Sequence, residues 1–244
     1  MNRILFEKSE IENGIATFGG ERAEHVLSVL HGEIGQILKT GEVDGKIGTG
    51  EIFDIRCAEG DLKSALVTVK VCHDSESPAP WVDLVLAPPR PRVMKRLLPQ
   101  LASLGVGRIF LVGAKKVEKD FWGATLLKEE NYRPLFIDGL MQAGTTALPK
   151  LETRRNFRRF VTDELDALSP GACRIVAHPY TEEEATAPDV SRPLLLAIGP
   201  EGGWTDEEVA LLESHGFARY SLGPRILRTD TAVVAILGRL MPVD

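Results

Sequence analysis

The sequence predicts an α/β chain whose C-terminal two-thirds forms a parallel sheet flanked by helices, preceded by a small β-barrel or curled sheet. Three observations carry this expectation. Beyond Trp81 apolar strand-like runs alternate with helical patterns, the signature of parallel strands joined by helices. Before Cys72 short β-like runs alternate with glycines, and one short helix interrupts them. Between the two regions, residues 74–80 are polar, proline-rich and without periodicity, as a linker would be. The expected organisation is a barrel domain over 1–73, a linker over 74–80 and an α/β domain over 81–244.

In the first domain, residues 35–39 and 65–71 read as strands, residues 21–30 as the helix, and Gly41, Gly45, Gly48 and Gly50 as turn positions. In the second, residues 82–87, 108–112, 174–178, 193–198 and 218–222 read as strands. Met94, Leu97, Leu98, Leu101 and Leu104 recur at helical spacing and stop at Gly105, a C-terminal glycine, while Pro99 marks either a kink or the first turn. Thr205 followed by Glu208 ahead of Val209, Leu211 and Leu212 is a capping box opening a helix that ends at Gly216. A last helix carries Ala232, Val233, Ile236, Leu237 and Leu240, with Asp230 placed to cap it.

With 244 residues, 43% of them hydrophobic and 26% charged, the chain can bury a sizeable core. No run approaches the ~20 apolar residues of a membrane helix, and Glu7 interrupts any signal-like start, so a cytoplasmic protein is expected. Cys57, Cys72 and Cys173 are odd in number and lack ligand spacing, which argues against disulfides and against a metal site and favours buried or indifferent thiols. The net charge of -6 by itself disfavours nucleic acid. Its distribution does not: Arg92, Lys95 and Arg96 belong to one basic stretch, and Arg154 and Arg155 to a second.

Two loops carry the chemistry. Gly199-Pro200-Glu201-Gly202-Gly203-Trp204 follows an apolar strand, and Gly223-Pro224-Arg225-Ile226-Leu227-Arg228 precedes the final helix. Neither contains the dinucleotide or triphosphate glycine pattern. Glycines here let backbone amides and carbonyls approach a flat uncharged ring such as adenine, and Leu222, Ile226 and Leu227 supply apolar walls. Arg228 and Asp230 suit the stabilisation of an anion and the acceptance of a proton, and Glu201 is an alternative acceptor. Asp230 as a helix cap and Glu201 as the partner of an arginine are the competing structural roles.

The segment LLLAIGPEGGWTDEEVALLESHGFARYSLGPRILRTDTAVVAIL closely resembles the RsmE family of 16S rRNA uracil-N3 methyltransferases, and LASLGVGRIFLV and RVMKRL resemble it more loosely. The resemblance implies a PUA-like barrel followed by a SPOUT-type trefoil-knot domain that binds S-adenosylmethionine. It implies a cofactor site at Ile198, Gly199, Pro200, Glu201, Gly202, Gly203, Leu222, Gly223, Ile226, Leu227, Arg228, Thr231 and Ala232. It also implies methylation of N3 of a uridine in 16S rRNA or the small ribosomal subunit, and a homodimer joined at the final helix and the cofactor loops. The barrel would dock RNA through Arg3, Arg22 and His25, and the two basic stretches would share that task. His31 stands where relatives often have Arg, and GLMQAGTTALPK departs from the family's Glu-Gln-Ser-Gly-Arg pattern. Three rivals remain: a SPOUT enzyme with another target such as ribose 2′-O, a non-catalytic RNA-binding assembly factor, and a small-molecule enzyme.

Overall fold

Strand and helix placement follows the burial pattern closely. The computed structural model describes residues 2–58, 61–179, 188–189 and 191–242. The chain divides into two compact units, Met1–Ala79 with Ile137–Leu148, and Pro80–Phe136 with Pro149–Asp244.

The first unit holds β1 (Ile4–Phe6), β2 (Ile11–Glu12), β3 (Ile15–Phe18), α1 (Gly20–Ser28), β4 (Ile37–Glu42), β5 (Ile47–Ala58) and β6 (Asp61–Ser75). They form one six-stranded sheet in the order β1-β4-β5-β6-β3-β2. The β1–β4 pair is parallel and the other pairs are antiparallel. Phe6, Phe18, Val26, Ile52, Val67 and Val69 fill its core. Only Gly45 of the four expected turn glycines lies outside a strand; Gly41, Gly48 and Gly50 sit within β4 and β5. Close approach explains them: a Cβ on Gly48 would lie 1.9 Å from the Cys72 carbonyl oxygen, so the curled hairpin admits only glycine there. Register shifts in the β5–β6 pairing bend the same hairpin. Cys57 and Cys72 are exposed and Cys173 is half-buried, so of the two readings expected, buried or indifferent thiols, burial does not hold.

Residues 137–148 belong to this unit through backbone contacts that the sequence pattern did not signal. The Asn2 and Arg3 amides donate to the Met141 carbonyl at 2.9 and 3.0 Å, and the Asp44 amide donates to the Thr146 carbonyl at 2.8 Å. Thr146 is buried and donates its hydroxyl to the Gly45 carbonyl at 2.6 Å. The divergent GLMQAGTTALPK segment therefore serves, in part, to complete the N-terminal unit.

The second unit holds β7 (Val82–Leu86), α2 (Pro91–Ser103), β8 (Val106–Val112), α3 (Glu129–Ala143, shared with the first unit), β9 (Lys150–Arg154), α4 (Phe157–Arg159), α5 (Leu165–Leu168), β10 (Cys173–Ala177), β11 (Leu194–Ile198), α6 (Asp206–Ser214), β12 (Ala218–Tyr220) and α7 (Thr229–Leu240). A π segment, Phe160–Glu164, joins α4 to α5. The six strands are all parallel, in the order β12-β10-β11-β7-β8-β9. β11 is buried along its whole length, as a continuous apolar run in a doubly covered sheet should be. Pro91, not Pro99, occupies the first turn of α2, and the helix runs through Pro99 to Ser103. Gly105 follows at φ +76, the left-handed stop expected of it.

Strands β7 to β9 proceed toward one edge of the sheet, whereas β10 to β12 lie on the other side of β7. Such a reversal opens a crevice at the carboxyl ends of the strands. Among the described residues no helix is long and apolar enough to cross a membrane.

Candidate functional site

Both glycine-proline loops leave the carboxyl ends of strands on the reversed side of the sheet. After β11 the chain turns through 199–204, with the Gly203 amide donating to the Pro200 carbonyl at 2.8 Å. The turn is locked to α6 by the capping box the sequence predicts: the Thr205 hydroxyl accepts from the Glu208 amide at 3.3 Å, and the Glu208 carboxylate accepts from the Thr205 amide at 2.8 Å. After β12, the Ser221 hydroxyl accepts from the Gly223 amide at 3.1 Å, and Thr229 at the start of α7 donates to the Gly199 carbonyl at 3.5 Å. The two loops thus meet.

Between them lies a cavity of about 340 Å³, within the range of small-ligand sites. Of the expected cofactor residues, Ile198, Gly199, Pro200, Glu201, Gly202, Gly203, Leu222, Gly223, Ile226, Leu227 and Ala232 line it. Arg228 and Thr231 do not. The wall also includes Ala177, His178 and Pro179 at the end of β10, together with Trp204, Tyr220, Ser221, Arg225, Thr229 and Ile236. Sequence reasoning omitted these, although the β10 residues were reachable from the rule that ligands collect at strand ends.

Backbone geometry explains the glycines. Gly203 sits at φ +69 and a Cβ there would meet nothing within 4 Å, whereas a Cβ on Gly199 would come within 3.0 Å of the Trp204 nitrogen. Lys116 packs its stem on Gly202 and donates its ammonium to the Gly202 carbonyl at 2.7 Å, holding the loop from outside. Trp204 is only 7% exposed, stacks on Phe157 with ring centroids 5.2 Å apart, and has no hydrogen-bond partner for its indole nitrogen among the described residues. A glycine cradle open to the cavity, apolar walls at Leu222, Leu227 and Ile236, and a buried unpaired donor on the lining tryptophan fit an adenosine-sized ligand better than a metal or a polyphosphate. Among the described residues no group of three His, Cys, Asp or Glu side chains could hold a metal ion.

The three acid-base candidates separate. Glu201 lines the cavity, and one of its carboxylate oxygens accepts from the Arg90 amide at 3.1 Å. Asp230 lies outside the lining and pairs with Arg96 at 3.3 Å. It is not the helix cap, because α7 begins at Thr229 with Arg228 in the cap position; Asp230 falls in the first turn, where a carboxylate complements the helix dipole. Arg228 is exposed, and Arg225 stands nearer the cavity as a lining cation.

The expected RNA contacts divide in the same way. Arg92, Lys95 and Arg96 are exposed on α2. Arg155 is exposed, with its guanidinium 5.7 Å from the Trp122 ring centre. Arg154 instead bridges Glu164 at 2.7 Å and Glu152 at 2.8 Å, and these carboxylates raise its pKa. In the first unit Arg3 donates to the carbonyls of Gly144, Thr40 and Gly48, and burial lowers its pKa. Arg22 forks onto Glu10 and also donates to the Leu5 carbonyl, and the buried His25 Nε2 atom has no partner among the described residues. Arg3, Arg22 and Arg154 are therefore held by their own fold.

The family described as RNA methyltransferase domain matches residues 75–241. The chain is similar to ribosomal RNA small subunit methyltransferase E of Treponema pallidum, at 31% identity over 96% of this chain and 88% of that protein. Its structure is similar to that of a putative methyltransferase from Legionella pneumophila in complex with bound SAM, with a TM-score of 0.69 and 27% identity over 98% of this chain and 96% of that one. Ribosomal RNA small subunit methyltransferase E from Neisseria gonorrhoeae, bound to S-adenosyl methionine, shares the fold at a TM-score of 0.69 and 20% identity, over 98% and 96% of the two chains.

Proposed function

Because the chain belongs to the RNA methyltransferase family that includes the ribosomal RNA small subunit methyltransferase E proteins, we propose that it methylates N3 of a uridine in the 16S rRNA of the small ribosomal subunit. The activity is S-adenosylmethionine-dependent methylation of small-subunit rRNA, and the N3 position is the finer part of the proposal. The observation that carries the reading is the cavity at the ends of β10, β11 and β12, which both glycine-proline loops line. In this reading the first unit docks RNA and the second carries out the transfer. The protein works in the cytoplasm as a homodimer, and Ile226, 72% exposed beside the cavity, favours a second subunit there.

S-adenosylmethionine, when bound, supplies a methyl group on a cationic sulfur. The two bends would hold its adenosine part through backbone atoms, and Leu222 and Leu227 would exclude water from it. Alignment of the uracil nitrogen with the methyl group accounts for most of the catalysis. The N3 proton must leave, and Glu201 is the acceptor on the cavity wall, oriented by the Arg90 amide. Arg225, on the cavity wall, stabilises the developing uracil anion, while Asp230 positions Arg96. N3 faces the partner base in a helix, so the uridine enters from single-stranded or extruded RNA.

Small subunits lacking the modification, incubated with the protein and S-adenosylmethionine and then digested to nucleosides for mass analysis, should yield 3-methyluridine. Methyl recovered on ribose would replace this reading with a 2′-O enzyme. No product together with no calorimetric cofactor binding would leave a non-catalytic RNA-binding factor.

A further inference from the structure

A second cavity, of about 420 Å³, lies at the carboxyl ends of β8 and β9, and the reading above gives it no task. Its wall includes Lys115, Arg155, Asn156, Arg158, Thr205 and Glu207. Thr205 directly follows Trp204, which lines the first cavity. The same bend thus borders both cavities, and their walls approach within one Cα step, about 3.8 Å.

Many arginines of the unit meet carboxylates: Arg108 with Asp83, Arg154 with Glu152 and Glu164, Arg159 with Asp163, Arg174 with Asp166, Arg219 with Glu213. The cations around this cavity do not. Lys115 and Arg158 are exposed and form no ion pair among the described residues. Arg155 lies over the Trp122 ring and directs one N–H toward the Trp122 carbonyl at 3.5 Å, leaving most of its donors free. Three cations without carboxylate partners converge on one cavity of an acidic chain.

The other wall groups fix what that cavity accepts. Glu208 is 9% exposed, and its carboxylate is occupied by the Lys115 amide at 2.7 Å and by the Thr205 amide and hydroxyl. Those backbone donors are therefore used, and an incoming anion must be taken by side chains. Asn156 accepts from the Arg159 amide through its carbonyl oxygen, which leaves its NH₂ group to donate. Glu207 is the one wall acid without a partner among the described residues, and it opposes an anion. Two guanidinium groups, an ammonium and an amide suit a phosphate better than a carboxylate or a neutral ligand.

We propose that this cavity binds a backbone phosphate of the substrate RNA strand, next to the nucleotide whose base enters the first cavity. The inference rests on the RNA-methylating reading and adds a phosphate subsite to it. Lys115 and Arg158 become substrate-binding residues, and Arg155 is held ready by its stacking on Trp122.

The test measures binding of a fluorescently labelled single-stranded oligouridylate to the full-length protein between roughly 50 and 200 mM salt, with calorimetric S-adenosylmethionine binding in parallel. Lys115→Ala and Arg158→Ala should each weaken RNA binding about fivefold and make the slope of log K against log salt shallower by about 0.7. Glu207→Gln should tighten it, with cofactor affinity unchanged in all three variants. Unaltered slopes in both cation variants, or weaker binding in Glu207→Gln, would overturn the phosphate site while wild-type RNA and cofactor binding left the methyltransferase reading standing. Loss of cofactor affinity in the cation variants would also overturn it, since the residues would then be supporting the shared bend. A wild type that binds cofactor but no RNA at low salt would sink both the subsite and the RNA substrate, and leave only the donor cavity.

Discussion

Replacing Gly203 with valine separates the ligand of the first cavity from its fold. Gly203 has φ +69, and a Cβ built there meets no atom within 4 Å. The folded protein therefore loses only the cost of a left-handed L-residue, about 1–2 kcal/mol, and for a chain of this size that lowers Tm by roughly 2–8 °C. The isopropyl group projects from a residue on the cavity wall. Any ligand there must retreat, and affinity for S-adenosylmethionine should fall at least tenfold, or about 1.4 kcal/mol.

Gly171 is the matched control. It has the same φ of +69 and the same open surroundings, and it lines neither cavity. Gly171→Val should show a similar loss of Tm by calorimetric scanning with cofactor affinity unaltered by titration. Two results would refute the reasoning: Gly203→Val keeping its affinity within about threefold, or Gly171→Val losing as much affinity as Gly203→Val. The first would move the cofactor elsewhere, and the second would make the effect one of general destabilisation.

Three further outcomes follow from the same geometry. Thr205→Ala removes the hydroxyl that accepts from the Glu208 amide and should cost about 1 kcal/mol, read as a Tm drop of roughly 2–4 °C; an unchanged Tm would show the cap to be idle. Glu201→Gln should lower turnover about 10²- to 10⁴-fold with cofactor affinity preserved, and Asp230→Asn, whose carboxylate already pairs with Arg96, should lower it less; the reverse order in single-turnover assays would reassign the acceptor. Burial holds the His73 imidazole below its ordinary value of 6.5, with Arg3 acting in the same sense and Glu42 and Asp74 against it. Because its folded pKa is depressed, His73 contributes stability that is present above 6.5 and lost as pH falls through the folded value. Denaturant midpoints should therefore drop from about pH 7 to pH 5 more steeply in wild type than in His73→Gln, and parallel curves would contradict this.

What the sequence discloses depends on whether a feature is local. The capping box at Thr205 and Glu208, the left-handed stop at Gly105 and the apolar run of β11 are each decided within a few residues, and the structure has them where they were expected. β9 went unread because KLETR is polar, as an edge strand with one partner can be. Gly41, Gly48 and Gly50 read as turns because a close crossing of strands distant in sequence looks locally the same as a bend. Residues 137–148 join the first unit through partners about 100 to 140 positions away, and no periodicity encodes that. Side-chain commitments were the least legible. Nothing adjacent to Arg3 says that three carbonyls take its guanidinium, and Arg154 and Arg155 are neighbours in a basic run with opposite fates.

That contrast bears on how an acidic chain can handle a polyanion. The sum of -6 counts each charge once wherever it lies, but at physiological ionic strength charges are screened over about 8 Å. An RNA strand therefore responds to the charges it touches. In the second unit many arginines are neutralised by their own carboxylates, while Arg92 and Lys95 on α2, Arg225 and Arg228 beside the first cavity, and Lys115, Arg155 and Arg158 near the second are exposed to solvent. These belong to elements that begin at the carboxyl ends of β7, β8, β9 and β12. Acids elsewhere on the surface then add solubility and reject non-specific polyanions, and the net charge reports that second property.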